Sequence, residues 1–149
     1  MAVTGLFSSL AMRGVVLRNR IVVSSMCEYS SDDGFATDWH LELAKRLGPL
    51  GVDLIDCSSG ALVHGVRIPI EPGYQVKFAS RIRREAGVMT GAVGLITEAA
   101  QANGIISSGD ADVVLMAREM LRDPYFALHA AEALGAEVRW PEQYLRARG

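Results

Sequence analysis

The sequence has little of what several classes of protein require. Its two cysteines, Cys27 and Cys57, are too few for a disulfide framework. No apolar run reaches the roughly 18 residues of a membrane helix. The stretch 1–17 has no basic start, so we expect no signal peptide. These absences predict a cytoplasmic, reducing location and no membrane partner.

Strong charge of either sign is also missing. The formal net charge is -2, which provides no basic field to attract nucleic acid. His40, His64 and His129 have no partners at metal-ligand spacing, so we expect no zinc site. Neither a glycine-rich Rossmann fingerprint nor a P-loop occurs. The partner we expect is therefore a small molecule rather than a nucleic acid.

Apolar runs rich in β-branched residues are present and predict four short strands buried on both faces of a parallel sheet. They lie at 20–25, 52–57, 88–93 and 112–116. Helical patterns follow at 38–47, 74–86, 98–107 and 124–134. Thr37 is placed as the N-cap of the first helix. Asp123 is placed as the N-cap of the last, with Pro124 at the first helical position.

This order of elements predicts an α/β fold with right-handed crossovers, preceded by a hairpin over 6–17 that turns near 13–14. A complete (β/α)8 barrel rarely has fewer than roughly 200 residues, and this chain has 149. Four parallel strands form either half of a barrel or an open sheet resembling flavodoxin in outline. Both leave two open edges, which proteins seldom expose. We therefore expect a homodimer or higher oligomer, unless a helix or the hairpin covers an edge.

Ligands of parallel α/β folds bind at the carboxyl ends of the strands, and barrels hold phosphate after the last two. There, Gly91 and Gly94 permit close approach to the backbone, amides near Thr97 suit an anion, and Arg118 offers a forked cation. The alternative is that these glycines only make tight turns and that Arg118 pairs with Glu119 or Asp112.

The two cysteines also lie at strand ends. Cys27 ends the first predicted strand at the same mouth, where a thiol can touch a redox cofactor, although free cysteine is more often a small buried hydrophobe. Cys57 fits the core better.

Several segments of the sequence resemble segments of one protein family, and they occur in the same order as in that family. The opening LFSSLAMRGVVLRNRIVVSSMCEYSSDDGFATDWH is similar to the start of Old Yellow Enzyme proteins, in the branch of thermophilic-like bacterial ene-reductases and xenobiotic reductases. The segments GVDLIDCSSGALVH, PGYQV, TGAVGLIT, MAREMLRDPYFA and PEQYLRARG resemble that family's C-terminal third. The resemblance implies a single truncated, TIM-barrel-like flavin-binding domain over 1–149, with 1–41 as the first barrel unit and 42–149 as the last three.

The resemblance implies (β/α)8 enzymes that bind FMN and reduce activated alkenes with hydride from NAD(P)H. By position, it places four residues along the flavin ring: Ser24, Ser25, Met26 and Cys27. Cys27 would be the thiol that tunes the flavin potential, and Tyr29 would face the substrate. The FMN phosphate would be held by Gly94, Ala117 and Arg118, with Ser58 and Ser59 nearby. Arg146 would correspond to a C-terminal arginine that reaches a neighbouring subunit's site.

The sequence also departs from the family. Near Leu41 it passes from the first barrel unit to the sixth, without the histidine or asparagine pair that anchors the substrate carbonyl, the tyrosine proton donor, or the glutamine and arginine that contact the flavin. Ala117 stands where the family usually has glycine. The resemblance thus implies an FMN-dependent NAD(P)H oxidoreductase with impaired ene-reductase catalysis. The alternatives are a non-catalytic FMN- or phosphate-binding half-barrel and a structural dimerisation module.

Overall fold

The computed structural model describes residues 10–12, 14–17, 37–58, 70–138 and 140–147. The predicted first strand, at 20–25, lies outside the described residues. Near the N-terminus, β1 (Leu10–Met12) and β2 (Val15–Leu17) pair antiparallel, with Leu10 opposite Leu17. Gly14 lies in a turn between these strands. The predicted hairpin is confirmed.

A parallel sheet forms the centre of the described part of the chain. It contains β3 (Leu54–Cys57), β4 (Met89–Ala92) and β5 (Val113–Val114), in that order. Leu54 lies beside Met89, and Gly91 lies beside Val113. The α/β class and three of the predicted strands are thus confirmed. A half-barrel of four strands stays a prediction.

Five α-helices are described, and they alternate with the strands of the parallel sheet for most of the chain. They are α1 (Asp38–Leu47), α2 (Val76–Ala86), α3 (Ala99–Ser107), α4 (Arg118–Arg122) and α5 (Phe126–Ala133). Short 3-10 helices occupy Gly48–Leu50 and Glu142–Ala147. The four predicted helices are present, and the short α4 was not predicted. Within the described ranges, no helix has the length and apolarity needed to cross a membrane.

The two predicted helix caps have different outcomes. Thr37 is the N-cap of α1, and its backbone amide donates to His40 Nδ1 at 3.0 Å. The cap predicted at Asp123 is wrong, because α5 begins at Phe126 with Tyr125 as its N-cap. Asp123 instead ends α4, where its amide donates to the Glu119 carbonyl at 2.8 Å. Its carboxylate accepts the Tyr125 amide at 3.0 Å, which makes a turn between the two helices.

The core lies between the helices and one face of the parallel sheet. Its buried members come from the strands, from α1, α2 and α3, and from the loops beside them: Leu41, Ala44, Cys57, Ala79, Ile82, Ala92, Ile96, Ile105 and Ala111. On the opposite face Leu54, Met89 and Val113 are 37%, 52% and 38% exposed. The prediction of strands buried on both faces is therefore wrong for these strands. In a closed barrel, side chains from other strands fill that inner face.

An ion pair fixes α2 to the starts of β4 and β5. Arg83 Nε donates to both carboxylate oxygens of Asp112, at 3.1 and 3.0 Å. Asp112 also accepts the backbone amide of Thr90 at 2.9 Å, and its own amide donates to the Thr90 carbonyl at 2.9 Å. The Thr90 amide and, after it, the Arg83 guanidinium lower the pKa of Asp112. These contacts hold the two strands whose far ends build the site.

Candidate functional site

A cleft lies at the carboxyl ends of β4 and β5. Residues 93–97, which follow β4, and residues 115–119, which follow β5, line a cavity of about 160 Å³. Four further side chains complete the lining: Ile70, Tyr74, Gln75 and Arg122. The structure therefore brings together Gly94, Ala117 and Arg118, which the sequence placed in two separate strand-helix units.

Gly94 occupies a position that requires glycine for two reasons. Its φ of +113° lies in a region that other residues rarely adopt. A Cβ at this position would lie 2.9 Å from Tyr74 Cε1 and 3.1 Å from Gln75 Nε2. Because Gly94 has no side chain, Tyr74 can pack closely against it. Leu115 packs against Gly91 for the same reason. Packing within the chain is thus one reason for both glycines, and close approach of a ligand to their backbone stays a prediction.

The backbone of the loop after β4 nevertheless retains capacity to bind an anion. Gly94 is buried, and its carbonyl accepts the Gly73 amide at 2.8 Å. Among the described residues, the backbone amides of Gly94 and Leu95 have no hydrogen-bond acceptor. Buried amides almost always have a partner. A bound anion or water at the cleft would supply one.

Leu95 is held in an unusual conformation by Gln101. Its φ is +48°, which costs a non-glycine residue on the order of 1–3 kcal/mol and persists only when neighbours enforce it. Gln101 Nε2 donates to the Leu95 carbonyl at 3.1 Å, and Gln101 Oε1 accepts the Thr97 amide at 3.1 Å. The Thr97 amide is thus already used, so its expected availability to an anion is wrong. Sequence reasoning missed Gln101, which carries no local motif.

Arg118 begins α4 and is exposed at the cleft. Both carboxylates expected as its alternative partners pair with other arginines. Glu119 pairs with Arg122 at 2.6 Å, and Asp112 pairs with Arg83 at 3.0 Å. The alternative in which Arg118 is held by one of these carboxylates is wrong. Among the described residues its guanidinium has no ion-pair partner, so a forked, permanently charged donor remains at the cleft.

The remaining predicted site residues lie elsewhere or are not described. Ser58 directly follows β3 and is exposed, but it does not line the cleft. Arg146 lies in the C-terminal 3-10 helix, also away from the cleft. Six residues lie outside the described part of the chain, and their roles stay predictions: Ser24, Ser25, Met26, Cys27, Tyr29 and Ser59.

Cys57 belongs to the core, as predicted. Only 6% of it is exposed, and burial, followed by the nearby Asp56 carboxylate, raises the pKa of its thiol to about 12. A thiol with so high a pKa is inert at neutral pH. In the ranges that the structure describes, no group of histidine, cysteine and carboxylate side chains is arranged to hold a metal ion.

Comparison with known proteins gives a consistent result. Residues 40–137 match the NADH:flavin oxidoreductase / NADH oxidase family. An NADPH dehydrogenase of Bacillus subtilis (strain 168) is 50% identical over 116 residues, which are 78% of this chain and 34% of that relative. The matched segment therefore spans about a third of the relative's length. Because the family match covers most of the chain, this protein belongs to the NADH:flavin oxidoreductase / NADH oxidase family, that of Old Yellow Enzyme.

Proposed function

We propose that this chain binds FMN through its phosphate, as an NAD(P)H oxidoreductase of the Old Yellow Enzyme type. One observation carries the proposal. The buried loop at Gly94, with amides that lack a partner among the described residues, and the Arg118 guanidinium, which also lacks one there, line the same cleft. Backbone amides and a guanidinium are the donors that proteins commonly direct at phosphate.

The size of the cleft fits the phosphate end of FMN and not the whole cofactor. Pockets that enclose a drug-sized ligand have volumes of roughly 300–1,000 Å³, and this cleft has about 160 Å³. A flavin ring would extend beyond it along the strand ends. By the family resemblance, Ser24, Ser25, Met26 and Cys27 would contact that ring, and Ser59 would lie near the phosphate.

The charge at the cleft suits a phosphate. Arg118 and Arg122 contribute two positive charges and Glu119 one negative charge, which leaves a net charge of +1. The Glu119–Arg122 pair keeps the second arginine occupied, so Arg118 is the donor that would contact the ligand. Ala117, where the family usually has glycine, retains its backbone amide.

Bound FMN would supply hydride transfer between NAD(P)H and an electron acceptor. Cys27 would tune the flavin potential, and Tyr29 would face an activated alkene or other acceptor. Because the carbonyl-anchoring pair and the tyrosine proton donor are missing, we expect weak or no ene-reductase turnover. NAD(P)H oxidation with oxygen as acceptor is the activity we expect instead.

Assembly into a homo-oligomer is part of the proposal. One face of the parallel sheet carries three exposed apolar side chains: Leu54, Met89 and Val113. In a complete barrel this face points into the packed interior. A second copy that closes the sheet would bury them, and Arg146 would then reach the neighbouring subunit. Light scattering that reports a stable monomer at micromolar concentration would contradict this part.

The test of phosphate binding is a fluorescence titration of the purified chain with FMN and with riboflavin, which lacks the phosphate. Arg118→Gln keeps much of the side chain's length and removes its charge. A charge-assisted hydrogen bond contributes about 1.5–3 kcal/mol, so we expect FMN affinity to fall about tenfold or more and riboflavin affinity to stay unchanged. Arg46→Gln, on the exposed end of α1, is the matched control and should alter neither.

Binding without catalysis is the second candidate function. It is favoured by the described cleft, whose backbone amides and guanidinium would contact the phosphate of FMN rather than its reacting ring. A yellow protein whose flavin is not bleached by NADPH would favour this candidate over the oxidoreductase. Full turnover with an enone such as cyclohexenone would refute the expected impairment. A colourless protein that does not bind added FMN would favour the remaining alternative, a structural dimerisation module.

A further inference from the structure

The loop over 94–97 is held from two sides by residues that do not belong to it. On one side the PGYQV segment makes a turn in which the Gly73 amide donates to the Gly94 carbonyl at 2.8 Å. Tyr74 of the same turn packs against the Cα of Gly94. On the other side Gln101, in the first turn of α3, uses both ends of its side-chain amide, on Leu95 and on Thr97.

We propose that Gln101 is a positioning residue for the phosphate of FMN. This inference rests on the proposed function and adds to it the residue that sets the shape of the binding loop. Gln101 does not line the cleft. It acts through the backbone of residues 95–97, which do.

Two features of the geometry assign this role to Gln101. The left-handed conformation of Leu95 needs an external restraint, because a leucine does not adopt it readily. Gln101 bridges the Leu95 carbonyl and the Thr97 amide, so a single planar group fixes the peptides on both sides of Ile96. Ile96 itself is 4% exposed and anchors the loop in the core.

Loss of the bridge would lower the population of the binding-competent loop. The apparent dissociation constant rises in inverse proportion to that population. Two neutral hydrogen bonds restrain the loop. If their loss leaves the binding-competent conformation in only about one molecule of ten, the apparent affinity for FMN falls about tenfold. Riboflavin has no phosphate to place against this loop, so its affinity should not change.

The test uses two substitutions of Gln101 in the full chain. Gln101→Leu removes both hydrogen bonds with little change in volume. Gln101→Glu keeps an oxygen for the Thr97 amide but loses the donor to the Leu95 carbonyl. We expect FMN affinity to fall about tenfold in the leucine variant and also in the glutamate variant, with riboflavin affinity unchanged in both. Gln143→Leu, at an exposed position of the C-terminal 3-10 helix, is the control and should bind both flavins normally.

Hydrogen exchange at the Thr97 amide provides a second measurement. This amide should exchange faster in the leucine variant, while amides in the middle of α2 keep their protection. Equal losses of FMN and riboflavin affinity would show a general structural defect and overturn the positioning role. Unchanged FMN affinity in both variants would overturn it as well. If the unmodified chain binds neither FMN nor riboflavin, the proposed function itself is wrong. The titration of the unmodified chain shows this before any variant is compared.

Discussion

Gly94→Ala adds a single methyl group, yet it should weaken both the fold and FMN binding. The φ of +113° at this residue is strained for alanine. The new Cβ would lie 2.9 Å from a ring carbon of Tyr74, closer than real Cβ contacts. Because Gly94 is buried, neither the backbone nor the ring can move without disturbing the loop that lines the cleft.

The size of the effect follows from these two contributions. A residue held in a sparsely populated backbone region costs about 1–3 kcal/mol. Inserting a methyl group into a packed site costs about 1–3 kcal/mol more. Gly94→Ala should therefore lower the free energy of unfolding by roughly 2–6 kcal/mol, a large part of the 5–15 kcal/mol that is typical of a domain.

Two other glycines separate the contributions. At Gly87, φ is +66° and no atom lies within 4 Å of an added Cβ, so Gly87→Ala should cost only the backbone strain, about 1–2 kcal/mol. Gly104 lies inside α3 with open space around it. Gly104→Ala should raise the free energy of unfolding by about 0.5–1 kcal/mol, because alanine is the better helix former.

The assay is urea unfolding followed by circular dichroism, together with FMN titration of each folded variant. The free energy of unfolding should decrease in the order Gly104→Ala, unmodified chain, Gly87→Ala, Gly94→Ala. Of the three variants, only Gly94→Ala should weaken FMN relative to riboflavin. If Gly94→Ala is as stable as Gly87→Ala, the contact between residue 94 and Tyr74 is not the constraint described above.

Two further predictions concern the strand starts. Thr90 Oγ1 is buried and has no hydrogen-bond partner among the described residues, so Thr90→Val should raise the free energy of unfolding by about 1 kcal/mol in urea unfolding; a loss of stability would reveal a hidden partner. Asp112→Asn should lower the free energy of unfolding by about 1–2 kcal/mol at pH 7. Because the folded-state pKa of Asp112 is lowered, its contribution is complete above the unfolded carboxyl pKa, about 3.9, and is lost as the pH falls through the lower, folded value. The difference between the unmodified chain and Asp112→Asn should therefore shrink below about pH 4, and a difference independent of pH would contradict this assignment.

Local sequence patterns predicted those strands and caps whose formation depends on residues close to them in sequence. Short β-branched runs became β3, β4 and β5, and Thr37 caps α1 because its neighbours in sequence provide the partners. The cap at Asp123 failed because that residue also ends α4, which no periodic pattern announced. Burial of both sheet faces was predicted from short apolar runs that lack polar alternation. It depends on what packs against the second face, which a local pattern does not contain.

The same distinction applies to the site. Gly94 and Arg118 were expected in one place because the carboxyl ends of parallel strands meet at one edge, and they do line one cleft. The reason for Gly94 was not foreseen, since it depends on contact with Tyr74, twenty residues earlier in the sequence. Gln101 was missed because its two hydrogen bonds join backbone atoms of a loop whose shape no local motif predicts.

The phosphorus NMR resonance of FMN tests the central claim most directly, because it reports on the phosphate rather than on the flavin ring. On addition of the unmodified chain, we predict a shift and broadening of this resonance that saturate with FMN binding. With Arg118→Gln the shift should be largely lost at the same protein concentration. An unchanged phosphate resonance in a sample whose visible spectrum shows bound flavin would contradict the claim that the cleft between Gly94 and Arg118 holds the phosphate.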